Sequence, residues 1–408
     1  MTVSISDILT ARERIRDVVH TTPLIKDEKL SAALDSSVYY KAENLQRAGS
    51  FKVRGAFNRI SQLSAEERER GVITASAGNH AQGVALAAKL NGIKATIVLP
   101  EFAPLTKIIA TRALGAEVII KGQTFDDAVD HSREVQKETG ATYIHAFDDD
   151  MVIAGQGSIG LEIAEALPET TKIIVPIGGG GIISGIAIAA KEKIAGVKVI
   201  GVQAANVAPV KPSLAAGHYV AIDHKPTIAD GIAIKRPAER TLAIIKDYVD
   251  DVIEVTEEEI AAAIFHLAQH SHLVVEGAGS AGVAAMLAGK INLTAADKAV
   301  AVLCGGNIDG NVLTRVIEQV LVRNGRYVIF KVLVPDKPGS LSHLLEIIAE
   351  AGANVIEVFH QRALWLAPIG SVGIETVLEV RDEDHARSVQ KKLESAGLKV
   401  QREYQGEW

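Results

Sequence analysis

The sequence holds a single cysteine, Cys304, in 408 residues. An internal disulfide is therefore impossible, and a chain of this kind suits a reducing compartment, so the expected location is the cytosol. Basic runs are also missing. Lys and Arg number 43 against 50 Asp and Glu, a net charge of −7, and no basic stripe is interleaved with aromatics, which argues against a nucleic-acid partner. There is no unbroken membrane-length apolar run. The longest uncharged stretch, residues 173–190, is split by Pro176 and a glycine block into a strand, a loop and a helix. The segment from Met1 to Val19 carries Asp7, Arg12, Glu13, Arg14, Arg16 and Asp17 at helical spacing, unlike the apolar heart of a secretion signal. No Cys or Cys/His cluster offers a structural metal site, and the HExxH, GxxxxGK[ST] and GxSxG patterns are absent.

What is present is an ordinary globular balance, 48% hydrophobic and 23% charged, in a chain long enough for at least two cores. From about Ser31 to Asn311 short apolar runs alternate with longer stretches of helical spacing. Val72 to Ser76, Ala95 to Leu99, Glu117 to Ile120, Lys172 to Ile177, Val197 to Val202 and Lys298 to Leu303 read as strands. They are apolar nearly throughout, as parallel strands covered by helices on both faces are, so this region is predicted to be parallel α/β. After Asn311 the pattern changes. Val312, Val316, Val320 and Leu321 place a linker helix over about 312–326, and 327–408 reads as strand, helix, strand, strand, helix, strand. Its strands fall at Tyr327 to Val334, Asn354 to Phe359, Gly373 to Arg381 and Leu398 to Tyr404, a ferredoxin-like βαββαβ order.

Four segments carry candidate chemistry. Ser50-Phe51-Lys52-Val53-Arg54-Gly55-Ala56 sets a lysine at the start of a helix, with a serine able to cap it and an aromatic beside it. Ser76-Ala77-Gly78-Asn79-His80-Ala81-Gln82-Gly83 follows a buried strand and opens a helix. Its backbone N–H groups at a positive helix end suit a carboxylate or phosphate, and Asn79 adds a neutral donor. Gly178, Gly179, Gly180, Gly181 and Ile182 join a strand to a helix, and four glycines in a row let successive amides turn inward around an anion. Cys304-Gly305-Gly306-Asn307 ends the last strand at the carboxyl edge, where a doubly wound sheet assembles its ligand site. Gly155 to Gly160 matches the dinucleotide fingerprint GxGxxG, but no strand leads into it and no acid follows about 20 residues on, so the match reads as accidental.

In this order the four segments resemble the fold-type II pyridoxal-phosphate (PLP) enzymes, specifically the serine/threonine dehydratases, from Ile8 to Tyr404. The resemblance implies a two-lobed catalytic region over 1–311 and an amino-acid substrate. It implies that Lys52 carries the cofactor and acts as general base, with Phe51 against the ring and Asn79 at the ring hydroxyl. Gly178 to Gly181 and Ile182 would hold the phosphate, and Cys304 would face the pyridine nitrogen. Ser76, Ala77, Gly78, Asn79 and His80 would bind the substrate carboxylate. In that family the cofactor phosphate serves as proton donor to the departing hydroxyl. A neutral thiol at the pyridine nitrogen gives a restrained electron sink, which favours β-elimination over transamination.

Serine racemases carry a second serine where this chain has Ala77, which weighs against racemisation. Threonine is the expected substrate and serine a second one, because a single methyl in an apolar pocket discriminates by only about 1 to 3 kcal/mol. Residues 327–408 resemble a single ACT-type regulatory domain, through Phe330 to Pro335, Asp336 to Leu341 and Asn354 to Ile356. That likeness implies a homo-oligomer, dimer or tetramer, and an amino-acid effector, isoleucine or valine if the enzyme serves isoleucine biosynthesis; a catabolic role stays open. Serine deaminase and 3-hydroxyaspartate ammonia-lyase remain alternatives of the same fold. An NAD-linked oxidoreductase and a non-catalytic amino-acid sensor are the alternatives outside it.

Overall fold

The computed structural model describes residues 3–101, 103, 105–223, 225–361 and 367–403. It divides into two compact units, Met1–Val312 and Leu313–Trp408. In the first unit ten strands form two sheets. In chain order they are β1 Leu24–Lys26, β2 Ser37–Lys41, β3 Val72–Ala75, β4 Ala95–Leu99, β5 Glu117–Ile120, β6 Thr142–Tyr143, β7 Lys172–Pro176, β8 Lys198–Ala204, β9 Asp251–Val255 and β10 Lys298–Val302.

The larger sheet has the order β1-β2-β10-β7-β8-β9 and is parallel except for the β1/β2 pair. The smaller sheet, β5-β4-β3-β6, is wholly parallel. The chain therefore starts the large sheet, leaves it after β2 to build a small lobe over residues 72–143, and returns at β7 to complete it. All six strands read from the sequence are present to within two residues at each end. Strands β1, β2, β6 and β9 were not foreseen.

Helices on the large sheet pack at near-backbone distance. A Cβ on Gly185, in the helix Gly181–Lys193, would lie 2.5 Å from the backbone nitrogen of Gly157 in the helix Asp150–Ala166. Both helices are apolar on nearly every side, as a helix enclosed by other layers must be. The residues Gly155 to Gly160 lie inside the Asp150–Ala166 helix, not at a strand-to-helix turn, so they hold no phosphate-binding geometry.

A network of charge is buried where the helix Lys52–Ile60 meets the helix Asp150–Ala166 and the end of β2. The guanidinium of Arg54 donates to both oxygens of Glu43, at 2.8 Å each, and to both oxygens of Glu162, at 2.6 and 3.0 Å. Lys41 Nζ donates to Glu162 at 2.6 Å. Two cations face two carboxylates, so the cluster is neutral, and Arg54 and Glu43 are both 0% exposed. Such a set persists only if every partner is satisfied.

In the second unit the strands β11 Tyr327–Pro335, β12 Asn354–Gln361, β13 Ser371–Glu379 and β14 Lys399–Glu403 form one antiparallel sheet, β12-β13-β11-β14. Helices Ser340–Glu350 and Glu383–Ser395 complete the βαββαβ order. Val328, Phe330, Val332 and Val334 alternate inward along β11 onto Leu344, Ile348, Val389 and Leu393. The final strand stops at Glu403, and Tyr404, expected to extend it, lies outside the described residues. The helix expected over 312–326 runs from Gly310 to Arg323. Among the described residues no helix is long and apolar enough to cross a membrane.

Candidate active site

Lys52 is the first residue of the helix Lys52–Ile60. Ser50 does not cap it: Phe51 occupies the cap position, and no side chain bonds the first turn. Ser50 is instead extended and bridges to Gly305, while the backbone N–H of Phe51 donates to the carbonyl of Cys304 at 3.2 Å. The pull of the β10 loop on this segment overrides local capping preference. It leaves Ser50 Oγ buried without a protein partner.

Lys52 Nζ donates to the carbonyl of Ala146 at 3.2 Å and lies 5.1 Å from the centre of the Phe51 ring. Burial lowers this amine to about 8, against the opposing charge of Glu276. A neutral fraction of the amine is thus available near physiological pH, which a nucleophile or base requires.

Three further elements converge on this lysine. The helix Asn79–Leu90 runs close against it, since a Cβ on Gly83 would lie 2.9 Å from Lys52 Cβ. That helix has Gly78 at its cap with no side-chain bond, so the first-turn amides of the Ser76-Ala77-Gly78-Asn79-His80 segment have no capping side chain. Ser76 Oγ accepts the Gly78 N–H at 3.2 Å and shapes the turn. Phe147, next to the carbonyl that Lys52 binds, packs its ring on the glycine loop. A Cβ on Gly179 would come within 2.2 Å of that ring, so no other residue fits there without moving Phe147. Gly180 has φ +89, a left-handed conformation that favours glycine, and caps the helix Gly181–Lys193 again without a side-chain bond. Thr241 Oγ1 donates to the Gly179 carbonyl at 2.8 Å and fixes the loop from behind. Ile182 is buried in the first turn.

Asn79 is held at both ends. Its Nδ2 donates to Glu276 Oε1 at 2.6 Å, and its Oδ1 accepts from Asn307 Nδ2 at 2.8 Å. One N–H of the amide remains for a ligand. Cys304 is buried, and burial followed by the charge of Glu276 raises its thiol, so it stays protonated. His80 is neutral: burial and the nearby Lys52 lower it to about 3, and Nε2 lies 2.9 Å from the carbonyl of Ile144, which assigns the proton there. Its side chain is a packing group, and only its backbone N–H is left for the candidate anion-binding turn.

Sequence reasoning missed Glu276, Phe147 and Thr241, and gave Asn307 no role of its own within the segment Cys304 to Asn307. A signal existed for Glu276, the single charged residue between Leu273 and Gly289. Among the described residues no three His, Cys, Asp or Glu side chains gather as metal ligands.

The arrangement is an amine of lowered basicity flanked by two helix starts that lack capping side chains, one of them behind glycines whose Cβ positions are filled. It fits a phosphorylated carbonyl compound held by the lysine, with its phosphate at Gly178 to Gly181. The family model for a pyridoxal-phosphate dependent enzyme matches residues 15–305. This chain belongs to that family. As a pyridoxal-phosphate dependent enzyme it is 49% identical to an L-threonine ammonia-lyase of Thermotoga maritima over 98% of this chain and 99% of the relative. Its fold superposes with a TM-score of 0.74 on the processed form of threonine deaminase isoform 2 from Solanum lycopersicum, at 40% identity, covering 78% of this chain and 87% of that one. A maize serine racemase also superposes at 0.74, with 36% identity, over 80% of this chain and 100% of that one.

Proposed function

We propose that this enzyme is an L-threonine ammonia-lyase that removes water and then ammonia to give 2-oxobutanoate, with L-serine as a second substrate. The observation that carries the reading is the Lys52 amine, lowered by burial and set between the Asn79 helix start and the tetraglycine loop. Lys52 holds the cofactor and, once its amine is free, takes the Cα proton. Bound pyridoxal phosphate supplies the electron sink for the pair left on Cα. Phe51 would lie against the ring, and Asn79 would offer its remaining N–H to the ring hydroxyl. Gly178 to Gly181 and Ile182 present backbone amides to the phosphate.

Ser76 and the amides of Ala77, Gly78, Asn79 and His80 bind the substrate carboxylate, orienting the Cα–H toward Lys52. Cys304, kept neutral, would give the pyridine nitrogen no counter-charge, which would favour β-elimination over transamination. Ala77 offers no hydroxyl on the face opposite Lys52, and racemisation is therefore not part of this reading. We further read the second unit as an ACT-like domain that takes isoleucine or valine, supported by its βαββαβ order and by the start of its first helix. That start lies at Gly339, with φ +91 and no side-chain cap. The enzyme is then a cytosolic homo-oligomer.

The test is incubation of the purified chain with L-threonine and with L-serine while 2-oxobutanoate, pyruvate and D-serine are measured. Ketoacids with little D-serine support the lyase reading. D-serine as the main product replaces it with racemisation, and no turnover of either substrate by cofactor-loaded protein removes it.

A further inference from the structure

Glu276 stands in an unusual relation to its own helix. It occupies the cap position of Gly277–Leu287, yet its side chain makes no capping bond there and turns toward Asn79 instead. The residue is 4% exposed. Neighbouring loops are kept bare around it: a Cβ on Gly305 would lie 2.4 Å from Glu276 Oε1, and one on Gly231 3.4 Å from it. Its backbone N–H donates to the Gly305 carbonyl at 3.1 Å, tying it to the loop after Cys304.

The charged and titratable groups facing it are Asp230 from the 230–232 turn, Lys107 from the helix Leu105–Ala113, Lys52 and Cys304. Lys107 is itself paired with Asp230 at 2.5 Å. Burial, then the Asp230 charge, push the Glu276 carboxyl up to about 7, so it changes protonation in the physiological range.

We propose that Glu276 is a positioning residue of the cofactor pocket: through the Asn79 amide it aims the donor meant for the ring hydroxyl and passes its own protonation state to the ring. The inference rests on the cofactor reading given under Proposed function. An amide has two N–H groups and one carbonyl oxygen. With the oxygen taken by Asn307 and one N–H by Glu276, the amide cannot flip, and the second N–H has a single direction left. Loss of a proton from Glu276 makes the shared bond charge-assisted and tightens that hold.

The experiment compares wild-type protein with Glu276→Gln and Glu276→Leu in two readouts. These are the dissociation constant for pyridoxal phosphate and the pH titration of the bound cofactor's visible absorbance. Glu276→Leu is expected to bind the cofactor about tenfold or more weakly, the weight of one hydrogen bond to a charged group. Glu276→Gln, which keeps the acceptor oxygen, is expected to retain affinity while losing a spectral inflection near pH 7 that the wild type shows. A purely structural role would weaken stability without moving that inflection.

An inflection that survives in Glu276→Gln, or a Leu variant that binds as wild type does, overturns the inference alone. Should the Leu variant fail to fold, the Gln titration decides. A wild-type chain that takes up no pyridoxal phosphate overturns the underlying cofactor reading together with this one.

Discussion

Replacing Arg54 with methionine probes the part of the structure on which the position of Lys52 depends. Arg54 follows Lys52 by two residues and makes six hydrogen bonds: two each to Glu43 and Glu162, one to Ser158 Oγ at 3.0 Å and one to the carbonyl of His20 at 3.2 Å. Methionine fills a similar volume but leaves two buried carboxylates with only Lys41 between them. Breaking a buried ion pair by removing one partner costs about 3 to 5 kcal/mol, because the other charge remains in a medium that cannot solvate it. Against a typical domain stability of about 5 to 15 kcal/mol this is a large fraction. The exposed pair Arg16–Glu13, at 2.9 Å, is the control, and Arg16→Met should cost under about 1 kcal/mol.

Urea unfolding followed by far-ultraviolet circular dichroism is the assay. Equal losses for Arg54→Met and Arg16→Met would refute the reasoning, since the Arg54 contacts to two carboxylates are buried and the Arg16 contact is exposed.

Gly179→Ala should weaken pyridoxal-phosphate binding by at least about tenfold, because its Cβ meets the Phe147 ring. Adding Phe147→Ala should return part of the loss, as a double-mutant cycle on cofactor affinity would show. Cofactor uptake by stripped protein should accelerate as pH rises through about 8 and level off above it, since only the neutral Lys52 amine attacks; an unperturbed lysine would keep accelerating beyond pH 10.

Asp27 is buried, which raises its carboxyl. The donors Leu30 N–H, Tyr40, His266 and Ser271 outweigh that and hold it at about 2 instead of 3.8. Its folded value being depressed, its contribution of about 2 kcal/mol or less is complete above pH 4 and is lost as pH falls toward 2. Acid unfolding of Asp27→Asn should accordingly depend less steeply on pH in that window.

Much of the catalytic unit was legible in sequence for one physical reason. Strands covered on both faces, such as Lys172–Pro176, are nearly continuous apolar runs, and the glycine-bearing turn that follows this strand, Gly178 to Gly181, is a candidate ligand site. The missed strands are short or carry polar residues. Ser37–Lys41 contains a lysine that looks solvated and is instead buried against Glu162, a partner 121 residues away. The division into two lobes came from the family resemblance and not from the residue pattern, because no local pattern tells β2 that its neighbour is β10.

In the site, the lysine and glycine segments stood out because their chemistry is local. Glu276 and Asn307 act through Asn79, a contact made only by folding, and Ser50 defied its local signal because Gly305 claims its backbone.

The central claim is that Lys52 holds the cofactor. The most direct measurement is borohydride reduction of the cofactor-loaded protein, followed by peptide mass mapping. The account predicts one modified peptide, carrying reduced cofactor on Lys52, and none in Lys52→Ala. Modification of a different lysine, or no covalent adduct in protein that is loaded and turning over threonine, would contradict it.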